Sequence, residues 1–356
     1  MPALQTSLST HVTAPVNFQL MKGLLKAARK RLPFFNGTLQ GQLEENNGAY
    51  SVRWERIENL TAATTALGEQ TGNAAFANGR DAVRPTVTRV DAAMAKYGNA
   101  IILNEEIDLV QVNARAMRFL DTLGANAGES LNTLLRDDII TGATTVRYGN
   151  GVASAATTVT AIGANDIKYA VNYLNRQSAM KMFPEGVGSR NIGSSPIRES
   201  YFGICHPDVE EDIRDIAGFV AVEQYAGYTS TLPGEFGTVG GVRFSSTEIA
   251  NITADEGTTS AAGFRGTSDI LNDTYDTIIY GMEAIGTVGL GENHAKEIYE
   301  MGDRVPAVSL IKHDPGSSGV GDMYNEVGSL AWKAFYAGQV LNANWIVNVK
   351  TLASEL

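Results

Sequence analysis

The sequence predicts an α+β protein in which a long helix stands between an extended strand hairpin and a mixed region that closes in strands. Three observations carry this. Tyr50, Val52 and Trp54 alternate with Ser51, Arg53 and Glu55, which is the period of a strand. From Asn104 to Gly142 apolar residues recur at helical spacing. Ser329 to Ala337 and Asn344 to Lys350 return to strand character at the end of the chain.

The first element in order is basic. Residues 1–43 contain Lys22, Lys26, Arg29, Lys30 and Arg31 and no acid, so this stretch carries +5 and the remainder −16 of a net −11. Val16, Leu20, Leu24, Ala28 and Leu32 form a stripe at spacing four with most of the basic residues off it, an amphipathic helix. It is either an ordinary surface helix or an arm that docks on a partner. A basic segment on an acidic body favours a separate task, and residues 1–45 are taken as an N-terminal arm.

Residues 46–103 read as the hairpin. Strand character at Tyr50 to Glu55 returns at Pro85 to Val90 and again at Ala100 to Leu103. Between them, Thr61 to Ala82 is mostly Ala, Thr, Gly and Asn. Loops of that length are uncommon and tend to be functional. A lone two-stranded hairpin is not stable in water, so this one needs a surface to lie against.

Asn104 is expected to cap the long helix, with Glu105, Glu106 and Asp108 in the first turn where the helix dipole favours acids. Ile107, Val110, Ala114, Met117, Leu120, Ala127, Leu131, Leu134 and Leu135 keep one face apolar, and Gly142 is a fitting stop. Some 38 residues at ~1.5 Å each would span about 57 Å. Gly124 and Gly128 predict a bend or break in its middle. This helix with its exit is assigned to 104–148.

Residues 149–325 form the mixed region. Ile167 to Phe183 predicts a second helix, ended by Pro184 and Gly186; His206-Pro207-Asp208 announces a third, with proline at the first helical position. Short strands are expected at Tyr201 to Cys205, Gly241 to Ser245, Thr277 to Tyr280 and Ala307 to His313, and surface loops at 186–198, 227–240 and 251–268. Residues 326–356 supply two closing strands, with Trp345, Val347 and Val349 on one face.

Composition excludes several classes. An acidic body with pI near 4.9 argues against a dedicated nucleic-acid binder. Cys205 is the only cysteine, so no intrachain disulfide forms. No apolar run approaches the ~20 residues needed to span a bilayer, and no secretion signal is read at the N-terminus, which leaves the cytoplasm as the expected place of synthesis. Gly289-Leu290-Gly291 resembles a dinucleotide turn, but the third glycine position is His294. Cys205 reads as a small buried hydrophobe and His206 as a helix cap. No catalytic residue, metal site or cofactor is expected.

The order of these elements resembles the tailed-bacteriophage major capsid proteins of the Hong Kong 97-type fold. The likeness reaches residues: Arg53-Trp54-x-Arg56 followed by Leu60, Thr64-Thr65, Leu67 and Glu69; Tyr97-Gly98 and Leu103-Asn104-Glu105; His206-Pro207-Asp208-Val209 through Asp212-Ile213-Arg214; Leu232-Pro233-Gly234-Glu235-Phe236-Gly237 with Gly241-Val242-Arg243-Phe244; and Trp332-Lys333-Ala334 with Asn344-Trp345-Ile346-Val347. The resemblance implies an N-terminal arm, an extended loop, a peripheral domain with a spine helix, and an axial domain. It implies self-assembly as pentamers and hexamers into an icosahedral head around double-stranded DNA, in a virion built in the host cytoplasm. Separate scaffolding and portal proteins are implied as partners, with decoration proteins left open and no membrane; no fused scaffolding region is read. A bacterial nanocompartment shell of the same fold is the alternative. The inter-subunit loop residues are expected at Arg53, Trp54, Arg56 and Glu69. Trp54 is expected at a boundary between subunits, with its own subunit's core as the competing place, and an arginine here is expected to pair with a neighbour's carboxylate.

Overall fold

The computed structural model describes residues 33–43, 50–58, 85–104, 115–158, 160–182, 199–224, 234–259, 263–267, 270–290, 308–313 and 326–355, with single positions between some of them. In chain order its elements are β1 (Leu39–Leu43), β2 (Ser51–Ile57), β3 (Val87–Ala93), β4 (Ala95–Asn104), α1 (Arg115–Gly142), β5 (Thr145–Tyr148) and α2 (Ala164–Arg176). There follow β6 (Tyr201–Cys205), α3 (Pro207–Arg214), β7 (Val220–Ala221), β8 (Glu235–Val239), β9 (Val242–Ser246) and β10 (Ile252–Thr253). The last are β11 (Thr274–Tyr280), β12 (Ile285–Leu290), β13 (Val308–His313), β14 (Val327–Val340) and β15 (Ile346–Thr351).

Helix α1 organises the larger core. Leu120, Leu123, Ala127, Leu131, Leu135 and Ile139 recur every three or four residues, and none is more than 3% exposed. A stripe of that kind must be covered along its whole length. Leu330, Trp332, Ala334 and Tyr336 cover it from one sheet, and Phe202, Ile204, Ile278, Tyr280 and Ile346 from another. No break falls at Gly124 or Gly128: α1 is helical through both. Both glycines are buried, so packing of the leucines around them outweighs a propensity cost of about 1 kcal/mol each. Gly142 ends the helix as expected, and a Cβ there would come within 2.5 Å of Val340 Cγ2. Asn104, expected as the helix cap, is the last residue of β4, which begins five residues before the predicted Ala100; residues 105–114 lie outside the described ones.

The first sheet is built on β14. β4 lies along one edge of β14 through Val327–Tyr336, while β13 and β12 share the other, and β1 is added parallel to β12. The N-terminal boundary of the body moves accordingly. Phe34 and Phe35 are buried in the α1 core, and the Phe34 N–H donates to Asn132 Oδ1 at 3.3 Å. Residues 33–43 are therefore part of the body, not of an arm reaching to 45.

The second sheet has the order β5-β15-β11-β6-β9-β8-β7, with β10 beside β11. The two closing strands thus part company: β14 joins the first sheet and β15 the second, between β5 and β11. Trp345 sits in a 3-10 turn, Ala343–Trp345, where its Nε1 donates to the Gln177 carbonyl, so it does not share the Val347–Val349 face. The expected loop at 227–240 contains β8, with Phe236 buried. α2 and α3 cover the far face of this sheet, closing a second core around Tyr201, Phe244, Ile279 and Val347. α2 ends at Arg176, not at Phe183, because Ser178 turns into the left-handed region at φ 53°. Met182 instead bridges to Ser200.

α3 begins as the sequence predicts. Pro207 takes the first helical position and His206 Nδ1 accepts from the Asp208 N–H at 3.2 Å. Only the neutral imidazole can accept there. Burial holds the His206 pKa below its ordinary 6.5, against the opposing pull of the Asp208 carboxylate. The folded chain then binds fewer protons at this site than the unfolded one, so the contribution is present above pH ~6.5 and is lost as pH falls below it. His206→Asn should keep a cap and flatten that dependence, and His206→Ala should cost about 1 kcal/mol at pH 7.5. Urea midpoints between pH 5 and 7.5 check this; parallel profiles for parent and His206→Asn would contradict it.

Candidate assembly surface

The β2–β3 ribbon is the element that single-chain packing explains least. Its two strands pair with each other and with no third strand among the described residues. β3 continues through Met94 into β4, so one long stretch of backbone belongs first to the ribbon and then to the body. Met94 N–H donates to the Tyr50 carbonyl at this changeover, at 3.1 Å.

The inward face holds the ribbon down. Val52, Trp54, Ala92 and Met94 pack on Val288, Phe335 and Ala337 of the first sheet. The indole of Trp54 lies over two glycines on neighbouring strands: a Cβ on Gly41 or on Gly286 would come to 3.0 Å from its Cζ2. Arg56 adds a polar tether. Its Nη1 donates to the Leu341 carbonyl at 2.9 Å, and its Nε and Nη2 donate to Glu58 Oε1 at 2.9 and 2.6 Å. Thr88 donates to the same oxygen at 2.9 Å. The Arg56 hydrogen bonds, then that from Thr88, hold the Glu58 carboxyl below its usual range.

The outward face is charged. Arg53 donates to Asp91 through Nε and Nη2 at 2.5 and 2.8 Å, and Arg89 donates to Glu55 at 3.0 Å. These pairs are directly opposed across the strands. The Arg53 hydrogen bond lowers the Asp91 pKa, and Asp91 raises that of Arg53. Solvent screens such pairs, so they set register more than stability.

The structure thus places three of the four expected loop residues. Arg53 faces outward, while Trp54 and Arg56 face the body; Glu69 and the basic positions Lys22, Lys26, Arg29, Lys30 and Arg31 lie outside the described residues. Trp54 is half-buried on its own body, so its first partner is its own chain. Both arginines also find carboxylates within the chain. Sequence reasoning missed Gly41 and Gly286, which make the seat. Leu39-Gln40-Gly41-Gln42-Leu43 does alternate, but the glycine interrupts its apolar face.

The residues that hinted at chemistry are structural. Cys205 is fully buried, and burial pushes its thiol far above the ordinary range. Gly289 and Leu290 are paired in β12, inside a sheet and not in a phosphate-cradling turn. Among the described residues no group of three or more His, Cys, Asp or Glu side chains could hold a metal ion, and no helix is long and apolar enough to cross a membrane.

No protein-family model matches this sequence, and no curated protein does. Solved structures do match. The capsid of Ralstonia phage GP4 superposes with a TM-score of 0.62 at 10% identity, covering 91% of this chain and 92% of that one. The capsid of cyanophage P-SCSP1u gives 0.53 at 13% identity, over 90% and 88%. The head of Helicobacter pylori bacteriophage KHP40 gives 0.52 at 9% identity, over 91% of each chain. The chain has the Hong Kong 97-type fold of tailed-phage capsid proteins.

Proposed function

We propose that this chain is a structural protein that assembles with copies of itself into the icosahedral head of a tailed bacteriophage, enclosing double-stranded DNA. The observation that carries the reading is a fold shared with phage capsid chains over about nine-tenths of their length. The ribbon supports it from within, since its inward face is seated on its own body while Ile57 and Val87 stay exposed on the outward face. Closed symmetric rings of five and six copies, tiled over a shell, would bring a neighbour to that face. In this reading residues 46–103 are the extended loop with its base strands, 104–148 the spine helix of the peripheral domain, 149–325 the axial domain, and 326–356 the closing strands of the peripheral domain. No enzymatic step is assigned. Scaffolding and portal proteins would be separate partners, and the chain would end in the virion.

Light scattering of the purified chain tests the reading. Particles or rings many times the 38.0 kDa of one chain are expected. A monomer at every salt concentration would contradict it. The basic arm has its own test. Lys22, Lys26, Arg29, Lys30 and Arg31 would touch DNA, scaffold or a neighbour through charge that salt screens over ~10 Å at 0.1 M. Glutamine at all five should lower particle yield or DNA content while circular dichroism stays unchanged; normal yield and content would refute the role.

A further inference from the structure

We infer that the outward face of the β2–β3 ribbon contacts the same face of a second copy of this chain, across a two-fold axis parallel to the ribbon's strands. The inference rests on the reading that the chain assembles with itself, and adds to it a surface and an axis. Four cross-strand rows make up the face: Ser51 with Ala93, Arg53 with Asp91, Glu55 with Arg89, and Ile57 with Val87. All eight residues are exposed, Ile57 at 67% and Val87 at 43%. Going up the ribbon the face is small, charged, charged and apolar. Within the charged rows the sign reverses, since Arg53 on β2 is followed by Glu55, and Asp91 on β3 is preceded by Arg89.

This pattern is complementary to itself. A half-turn about an axis along the strands lays β2 of one copy over β3 of the other. Arg53 then faces Asp91 of the other copy, Glu55 faces Arg89, and Ile57 faces Val87. Each row meets its like, with every charge opposed and the apolar row against the apolar row. A half-turn about an axis across the strands also opposes the charges, but it sets Ile57 and Val87 over Ser51 and Ala93. The apolar row therefore selects the strand-parallel axis. A contact of this kind is isologous, the same patch used by both copies. The charges would set register and partner choice, and the apolar row would supply burial.

Exchanging the two charges of one row tests this. Arg53→Asp combined with Asp91→Arg keeps the in-chain pair, and circular dichroism and parental solubility confirm that the chain still folds. Laid on itself about the inferred axis, the exchanged row is still complementary; laid on the parent row, it sets like charges face to face. The exchanged chain should thus form particles alone as the parent does. When equal amounts of exchanged and affinity-tagged parent chains are co-expressed, its share in the tagged particles should fall about tenfold below random mixing. The exchange Glu55→Arg with Arg89→Glu should behave alike. Random mixing would overturn the inference and leave the shell reading standing. Loss of particles from the exchanged chain alone would also overturn it, because a face docked on a different surface, or about the other axis, would lose its complement. Absence of particles from the parent would instead refute the shell reading.

Discussion

Arg243→Met should destabilise the chain by about 3–5 kcal/mol, the usual cost of leaving a buried charge without its partner. Arg243 on β9 reaches diagonally to Glu235 on β8, with side chains 5% and 0% exposed. Arg243 Nε donates to Glu235 Oε1 at 2.7 Å, and Nη2 donates to Oε2, a two-pronged pair. The backbone arranges this. A register shift between Glu235 and Gly237 breaks the regular β8–β9 pairing at Phe236, and Gly237 fits there because a Cβ would come to 2.2 Å from the Phe219 ring. Two charges taken out of water repay their desolvation only while both are present. Against a total stability of ~5–15 kcal/mol the single change is large. Changing Glu235 to Met as well should recover most of the loss. Urea unfolding of the unassembled chain measures both. A single variant within about 1 kcal/mol of the parent would contradict the argument.

Trp54→Ala should leave the body folded and free the ribbon from it. The indole is half-buried, so the local cost should be about 2 kcal/mol, below the ~3–5 of a fully buried aromatic. Neither large core depends on this ring: its neighbours are Val52, Ala92, Met94, Val288, Phe335 and Ala337. Circular dichroism should stay near the parent's, and proteolysis within the ribbon should quicken. Gly286→Val should do the same from below by pushing against the ring. If particles form, they should be fewer or more fragile, since aromatic anchors carry a large share of association energy. An unfolded Trp54→Ala chain would return Trp54 to the core, and particles as robust as the parent's would remove the ribbon from assembly.

What the sequence made legible is where one physical signal ruled. The α1 stripe and the β2 alternation were both strong enough to be read directly, and the His206-Pro207-Asp208 start of α3 was local chemistry. The misreadings have specific causes. β1 is hidden because Gly41 gives up its side chain to make room for Trp54, thirteen residues away in sequence and on another element. β8 was taken for a loop because its glycine and its shifted register serve Arg243 and Phe219, which lie elsewhere in the chain. α2 was run too far because Met182 and Phe183 continue the apolar spacing while the backbone has already turned at Ser178. The two closing strands are equally legible, but nothing local tells that the turn at Trp345 carries β15 across to the second sheet. Of the site, the two faces of β2 were legible; their partners were not, because Asp91, Arg89 and Glu58 become partners only through the β2–β3 register.

Whether copies of this chain close into a shell is decided by electron microscopy of the purified protein. Closed polyhedral particles, or rings of five and six copies, are expected, with the ribbon lying over a neighbouring copy. A uniform field of single chains, with each ribbon covered wholly by its own body, would contradict it.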